Sequence, residues 1–365
     1  MMKPFQKHST LLSLYVAQAI PMSFFATVLP VIMRMENYSL ESIGLIQLIK
    51  IPWILKFFWS PWVDRNAGKR HGYKTWIITS ELFYAVIIVS IGFFGLETDF
   101  RTIIVLMVTA FFLSATQDIA SDALAVKILS RNQRSVGNSM QSSGSFLGTL
   151  FGSGVMLVLY PSLGWRGIMF LLGGIVLVAL LPMMFNVRNS MTFAPEESTP
   201  PNWRDVFTFF RPSIVIRRIL FLVIYYSGIL GILVMLKPYL VDLGYQIREI
   251  GFIAGIYGTA IGVGAALLSG LIIRRIGNRK AIIMMASYSF LTALFFATVL
   301  VSTPYPLVIY IGVAMLWSSY SMSTVVVYTV SMNLARPGRE GTDYSIQIVI
   351  THMSGLIMAV LSGVI

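Results

Sequence analysis

The sequence predicts an all-α integral membrane protein made of two pseudo-repeat halves of six helices each, with eleven spans visible. Three observations lead there. The 365 residues are 56% hydrophobic and 12% charged, about half the charge of an ordinary soluble domain, and the mean hydropathy is +0.78. Apolar runs of about 20 residues, enough to cross a bilayer, recur along the whole chain. A polar turn of one pattern appears twice, 209 positions apart.

The runs lie at 11–33, 42–60, 76–95, 102–127, 137–160, 166–186, 214–236, 249–272, 281–301, 306–330 and 344–365. The first leads into another span rather than a small-residue cleavage site, so it reads as a transmembrane helix and not a signal peptide. With the N-terminus inside, Lys and Arg number twenty at the cytoplasmic ends and loops against five outside, which fixes a cytoplasmic N-terminus by the positive-inside rule. The net charge of +12 is then a matter of topology, and no nucleic-acid partner is expected.

Residues 1–186 form the N-terminal transmembrane half and 214–365 the C-terminal one. Between them, 187–213 is a cytoplasmic linker carrying Pro195, Pro200, Pro201 and Pro212. Its segment 202–211 (NWRDVFTFFR) alternates aromatic and charged residues, which suits a short amphipathic helix at the headgroup level. The eleventh run reaches Ile365 without a polar tail, and a twelfth helix is expected beyond it.

The repeated turn is SPWVDRNAGKR at 60–70, after the second span, and SGLIIRRIGNRK at 269–280, after the eighth. Ser, Arg, Gly and Arg recur in register at 60/269, 65/274, 68/277 and 70/279, as parallel internal repeats require. These loops resemble the G-x-x-x-D-R-x-G-R-[KR] signature of the major facilitator superfamily. The first copy has Asp64, Arg65, Gly68, Lys69 and Arg70, with Ser60 at the usual glycine position; the second has Ile273 in place of the Asp. The blocks AQAIPM (17–22), LKFFWSP (55–61) and ATQDIASD (115–122) are similar to the AmpG-type muropeptide permeases and the RhtX/FptX-type siderophore permeases. The continuation Asp122–Leu129 and the stretch Gly137–Gln141 lean toward the siderophore branch. The resemblance implies the major facilitator fold and a monomeric permease of the bacterial inner membrane, with protons as coupling ion. It also implies import of a polar or anionic small molecule, and a cytoplasmic latch built from Asp64, Arg65, Lys69, Arg70, Asp122, Arg274 and Arg279.

Charges inside hydrocarbon cost at least about 2.5–3.5 kcal/mol at the bilayer centre and so need a reason. Lys50, nine residues past Glu41 and about 13 Å along a helix, falls near the midplane; it is either a cation for an anionic substrate group or a lysine paired with a neighbouring carboxylate. Lys56, about 9 Å deeper, either joins that site or snorkels past Trp59 to the interface. Asp118 and Asp122, four apart, share one face of the fourth span. Two like charges there favour holding a shared proton; a latch with the Arg65 loop is the preferred role for Asp122, a site role for Asp118. Gln18, Gln117 and Gln141 offer neutral donors and acceptors, or tie helices together. Trp317, Tyr320 and the hydroxyls around them give the tenth span a polar face. Gln347 and His352 lie in the eleventh, a helix that Asp343 is placed to cap. His352 is either a proton carrier or a structural imidazole.

Gly144, Gly148 and Gly152 on the fifth span, and Gly251, Gly255, Gly258 and Gly262 on the eighth, form stripes that let backbones approach closely. In the facilitator fold those two helices meet across the halves, so the stripes are expected to face each other, as sliding surfaces or as plain packing. With no Cys, thiolate metal sites and cysteine nucleophiles are excluded. No H-E-x-x-H, G-x-S-x-G or nucleotide loop is present, which argues against an enzyme; no cofactor or metal is expected. A transport-like sensor is the remaining rival, and no soluble signalling domain is visible.

Overall fold

The structure, a computed structural model, describes residues 3–39, 43–44, 46–67, 72–96, 98–186, 200–300 and 305–363. Among these it is built of helices: α1 Pro4–Ser23, α2 Leu29–Met35, α3 Ile51–Leu55, α4 Ser60–Ala67, α5 Gly72–Ile91, α6 Phe100–Ile128, α7 Arg134–Thr149, α8 Met156–Asn186, α9 Arg204–Thr208, α10 Ser213–Ile224, α11 Ser227–Asp242, α12 Ile247–Ile250, α13 Gly258–Ile276, α14 Asn278–Phe295, α15 Pro306–Leu334 and α16 Glu340–Ser362. Nine helical runs among the described residues are long and apolar enough to cross a membrane. One of them, Arg134–Asn186, is 53 residues long and turns at Gly164, whose φ of 63° only glycine adopts freely. That turn separates the fifth and sixth expected spans.

The second expected span is not one helix. It runs through a 3₁₀ turn at Ile46–Lys50, α3 and a second 3₁₀ turn at Lys56–Phe58, and α4 follows it at the repeated turn. Pro52 stands at the start of α3, and proline lacks the N–H that would continue a helix through it. Broken helices are tolerated at membrane depth where protein or water, rather than lipid, satisfies the freed backbone. The first span is also adjusted: Pro21 lies inside α1, and a π turn at Phe24–Val28 joins α1 to α2.

The chain divides into two compact units. Unit 1 is residues 1–128, 147–208 and 335–346; unit 2 is 129–146, 209–334 and 347–365. Residues 129–146 of the expected N-terminal half fall in unit 2, and residues 335–346 of the expected C-terminal half fall in unit 1. Unit 1 is centred on an apolar core that includes Phe24, Phe25, Ile32, Met33, Phe111 and Leu172. Its α5 and α8 approach closely: a Cβ on Gly173 would lie 2.5 Å from Val89 Cγ2, so dispersion contacts replace a hydrophobic drive that lipid cannot supply. Unit 2 has apolar clusters around Leu236, Ile253, Val313 and Leu316, and around Ala266, Met285 and Val325. Its α13 and α14 reverse at Gly277, φ 82°.

Candidate functional site

The chain break in the second span brings Lys56 against α6. Its side chain is 0% exposed, and Nζ forms an ion pair with Asp118 Oδ2 and lies 4.0 Å from Asp122 Oδ2. The ammonium also sits 5.1 Å from the centre of the Trp53 ring, a favourable cation–π contact. Snorkelling is therefore overturned: both ends of the lysine are enclosed. Asp122 accepts a hydrogen bond from Tyr15 Oη of α1. Asp118 and Asp122 are themselves buried, and their spacing of four turns both toward Lys56.

Charge counting shows what this cluster can do. Counted by themselves, the two carboxylates and the lysine ammonium sum to a formal charge of −1 in a place where burial makes charge costly. Taking up one proton, or one cationic group of a bound solute, makes the cluster neutral. Tyr15 is a member that the charge pattern alone does not reveal.

A second polar group lies in the same unit. Glu81 of α5 is buried, and Gln117 Nε2 donates to its Oε2 at 3.2 Å. Glu81 is missing from the candidates read from the sequence, although it is a carboxylate nine residues into a 20-residue span, a position that the cost of intramembrane charge marks for attention. Gln18 of α1 is buried too, and its Nε2 finds no hydrogen-bond partner among the described residues. Lys50 is half-buried at the end of the first 3₁₀ turn.

In unit 2, Trp317 and Tyr320 belong to an aromatic group. Trp317 meets Phe146 edge-on at 6.0 Å and Tyr320 at 6.2 Å, and Tyr320 stacks on Tyr226 at 6.0 Å. Trp317 Nε1 is buried and reaches no acceptor among the described residues. The indole needs Gly258: a Cβ there would lie 2.2 Å from Nε1. Gln141 of α7 is buried in this unit, and buried Gln347 of α16 donates to Ser331 O at 3.1 Å. His352 is exposed on α16.

The glycine stripes face differently from expectation. Gly148 and Gly152 sit against Ala19 and Ile20 of α1, where added Cβ atoms would lie 2.4 and 2.2 Å away. Gly258 and Gly262 seat Trp317, while Gly251 and Gly255 have nothing within 4 Å; Gly144 is buried in α7. The fifth and eighth helices do touch, but through Ser139 against Gly270 and Phe146 against Gly262. Bulk on the partner helix decides which small residues are used, and that is set by tertiary packing.

Among the described residues Asp122 meets Tyr15 and Lys56; of the residues expected to form a latch with it, Arg65, Arg274 and Arg279 are exposed, and Lys69 and Arg70 lie outside the described residues. Asp64 of α4 is buried and fully engaged. Its Oδ1 accepts from Gly341 N at 3.0 Å and Tyr73 Oη at 2.7 Å, and its Oδ2 from Thr342 N at 2.7 Å and Thr342 Oγ1 at 2.6 Å. A side chain from another segment thus satisfies the free N–H groups at the start of α16 and meets the positive end of its dipole. Burial pushes the Asp64 carboxyl up to about 6, against the hydrogen bonds from Thr342 and Tyr73 that pull it down. Asp343 is not the cap, because α16 begins three residues earlier; its carboxylate binds Arg336 N at 2.8 Å, Nε at 2.8 Å and Nη2 at 2.7 Å. Arg336 continues to Thr208 and Arg339 to Asp205, which ties α9, the five-residue helix found within 202–211, to the start of α16.

These features can be set beside known proteins. A family model described as Major Facilitator Superfamily matches residues 11–359. The anhydromuropeptide permease of Escherichia coli K12 is 26% identical over 288 residues, 76% of this chain and 57% of that protein; the match thus spans little more than half of that relative's length. A putative transporter AmpG 3 of Rickettsia prowazekii is 25% identical over 356 residues, 90% of this chain and 82% of the relative. Among solved structures, a bacterial homologue of the iron transporter ferroportin, in an outward-facing state, superposes with a TM-score of 0.70 at 19% identity, covering 99% of this chain and 92% of that one. The human organic anion transporter MFSD10 gives 0.76 at 13% identity, covering 99% and 93%. At those identities the structural likeness is one of fold.

Proposed function

Because the chain belongs to the major facilitator superfamily, we propose that it is a secondary transporter of the bacterial inner membrane, N-terminus in the cytoplasm, working by alternating access as a monomer. The proposed cargo is a sugar-bearing peptide of the anhydro-muropeptide kind, moved inward with protons. The leading observation is the buried cluster of Lys56, Asp118, Asp122 and Tyr15, carried on the broken second span and its neighbours. Discontinuous helices at membrane depth are where transporters of several folds bind solutes and coupling ions, and a cluster one charge short of neutrality suits a proton that travels with the cargo.

Two considerations favour a sugar peptide over the ferric siderophore toward which the sequence blocks lean. The curated relatives bear muropeptide and AmpG names, at about a quarter identity. In unit 2, Trp317, Phe146 and Tyr320 present aromatic edges and faces beside an unpaired indole N–H, which suits the apolar face and hydroxyl of a sugar ring.

Equilibrium binding separates the two cargo classes. Titration of the purified protein with labelled anhydro-muropeptide is expected to saturate, with an unlabelled ferric siderophore failing to compete, and Trp317→Phe, which loses the N–H but keeps an aromatic ring, is expected to weaken binding about tenfold, the worth of one hydrogen bond. Competition by the siderophore at equal concentration would reverse the choice of cargo.

A further inference from the structure

We infer that unit 2 carries a binding site for an anionic diacyl phospholipid, at the ends of its helices that hold Arg217 and Arg218 of α10 and Arg274, Arg275, Arg279 and Lys280 around the α13–α14 turn. The two groups belong together in space. Arg218 Nη1 donates to Val330 O at 3.5 Å, and Val330 borders a narrow hollow with Ile273 of α13 and Asn278 and Ile282 of α14. Tyr225, just past the end of α10, donates from its Oη to Ile282 O at 3.0 Å. α10 therefore packs beside the Gly277 turn, which brings Arg217 and Arg218 to the same end of the unit as the four cations around that turn.

Within unit 2 this charge has few carboxylate counterparts. Unit 2 holds eleven Lys and Arg against two carboxylates, Asp242 and Glu249. Both carboxylates lie at the far ends of the helical runs Val215–Asp242 and Arg248–Ile276: Glu249 is twenty-five residues from Arg274, about 38 Å, several times the screening length of about 8 Å at physiological salt. None of the ion pairs among the described residues includes any of the six cations. Unit 1 handles its cations otherwise, pairing Lys127 with Glu340, Arg336 with Asp343 and Arg339 with Asp205. The positive-inside rule explains cations at these ends but not the missing carboxylates.

The shape of the surface selects an amphiphile. Directly beside the cations stand exposed apolar side chains: Ile216 and Leu220 on α10, Leu271 on α13 and Ile283 on α14. A ligand with a phosphate at the headgroup level and acyl chains along the helices meets both. A phosphodiester held by several Arg forks gains charge-assisted hydrogen bonds, and basic pockets between helices at the cytoplasmic face bind such headgroups.

The inference rests on the proposed orientation, so the test has a separate arm for it. The chain has no cysteine, and a single thiol at Asn278→Cys is expected to react with a membrane-impermeant maleimide only in inverted vesicles; labelling from the other side would remove the orientation and leave the lipid measurement to stand alone. For the lipid, the full chain in neutral detergent is exposed to equal phosphatidylglycerol and phosphatidylcholine, and retained lipid is counted by native mass spectrometry. Phosphatidylglycerol is expected to be retained at least about tenfold over phosphatidylcholine, and Arg274→Gln/Arg275→Gln/Arg279→Gln to lose most of that preference, while the matching Lys variant and Arg101→Gln keep it. No preference in the unmodified protein overturns the inference without any variant. Equal displacement by soluble glycerol phosphate would show a site for a free anion and overturn it as well.

Discussion

Replacing Lys56 by Gln removes the ammonium that Asp118 and Asp122 share. Lys56 is 0% exposed and the two carboxylates 4% and 1%, so water cannot take over its role. Removing one partner of a buried ion pair costs about 3–5 kcal/mol, because the remaining charge stays buried; here two charges are stranded. At about 2 °C per kcal/mol for a chain of this size, melting should fall by roughly 6–10 °C. Asp118→Asn is the opposite case. It deletes one of two negative charges, leaves Lys56 4.0 Å from Asp122, and makes the cluster neutral, at a cost of about 1–2 kcal/mol for a weakened hydrogen bond. The double variant strands only one carboxylate, so its loss should be smaller than the sum of the singles by about 1–3 kcal/mol. Fluorescence-detected thermal denaturation in detergent reads all four proteins, with the expected order unmodified, Asp118→Asn, double, Lys56→Gln. Equal melting of Lys56→Gln and Asp118→Asn would refute the charge count.

Other consequences are open to measurement. The Asp64 carboxyl titrates at about 6 in the folded chain against about 3.9 when solvated, so the folded state holds the extra proton. Its contribution is full below about pH 4 and lost as pH rises through 6, up to about 3 kcal/mol. The melting temperature of the unmodified protein should therefore rise relative to Asp64→Asn on going from pH 7.5 to 5, and a difference independent of pH would contradict this. Gly258→Ala puts a methyl 2.2 Å from Trp317 Nε1, and overpacking of about 1–3 kcal/mol should displace the indole and lower cargo affinity. Gly251→Ala, with open space around it, should be silent in the same binding assay. Asp118→Asn should bind cargo yet lose its response to a pH gradient in proteoliposomes; unchanged gradient-driven accumulation would exclude it as the proton site.

Much of this was legible in the sequence where hydropathy alone decides. The helical runs, the turns at Gly164 and Gly277 and the short helix within the linker follow from apolar length and from residues that end helices. Half of the buried cluster was legible too, because Asp118 and Asp122 are four apart on one helix. Their pairing with Lys56 was not: it joins positions 62 apart, and the break at Pro52 sets which way the lysine turns. The small-residue stripes announced close packing without naming the partner, since Gly148 faces Ala19 and Gly258 faces Trp317 for reasons of bulk on other helices. Asp64 was visible as a motif residue, but its partners are the hydroxyls of Tyr73 and Thr342 and the backbone N–H groups at 341 and 342, the last of which carry no sequence signal. Glu81 is legible as a carboxylate within an apolar run.

The account stands or falls on uptake. Cells lacking their own muropeptide permease and producing this protein are given labelled anhydro-muropeptide and, separately, a labelled ferric siderophore, each with and without a protonophore. The account predicts accumulation of the muropeptide alone, collapsing when the proton gradient is removed. Accumulation of the siderophore, or no uptake of the muropeptide by protein shown to be folded and in the membrane, would contradict it.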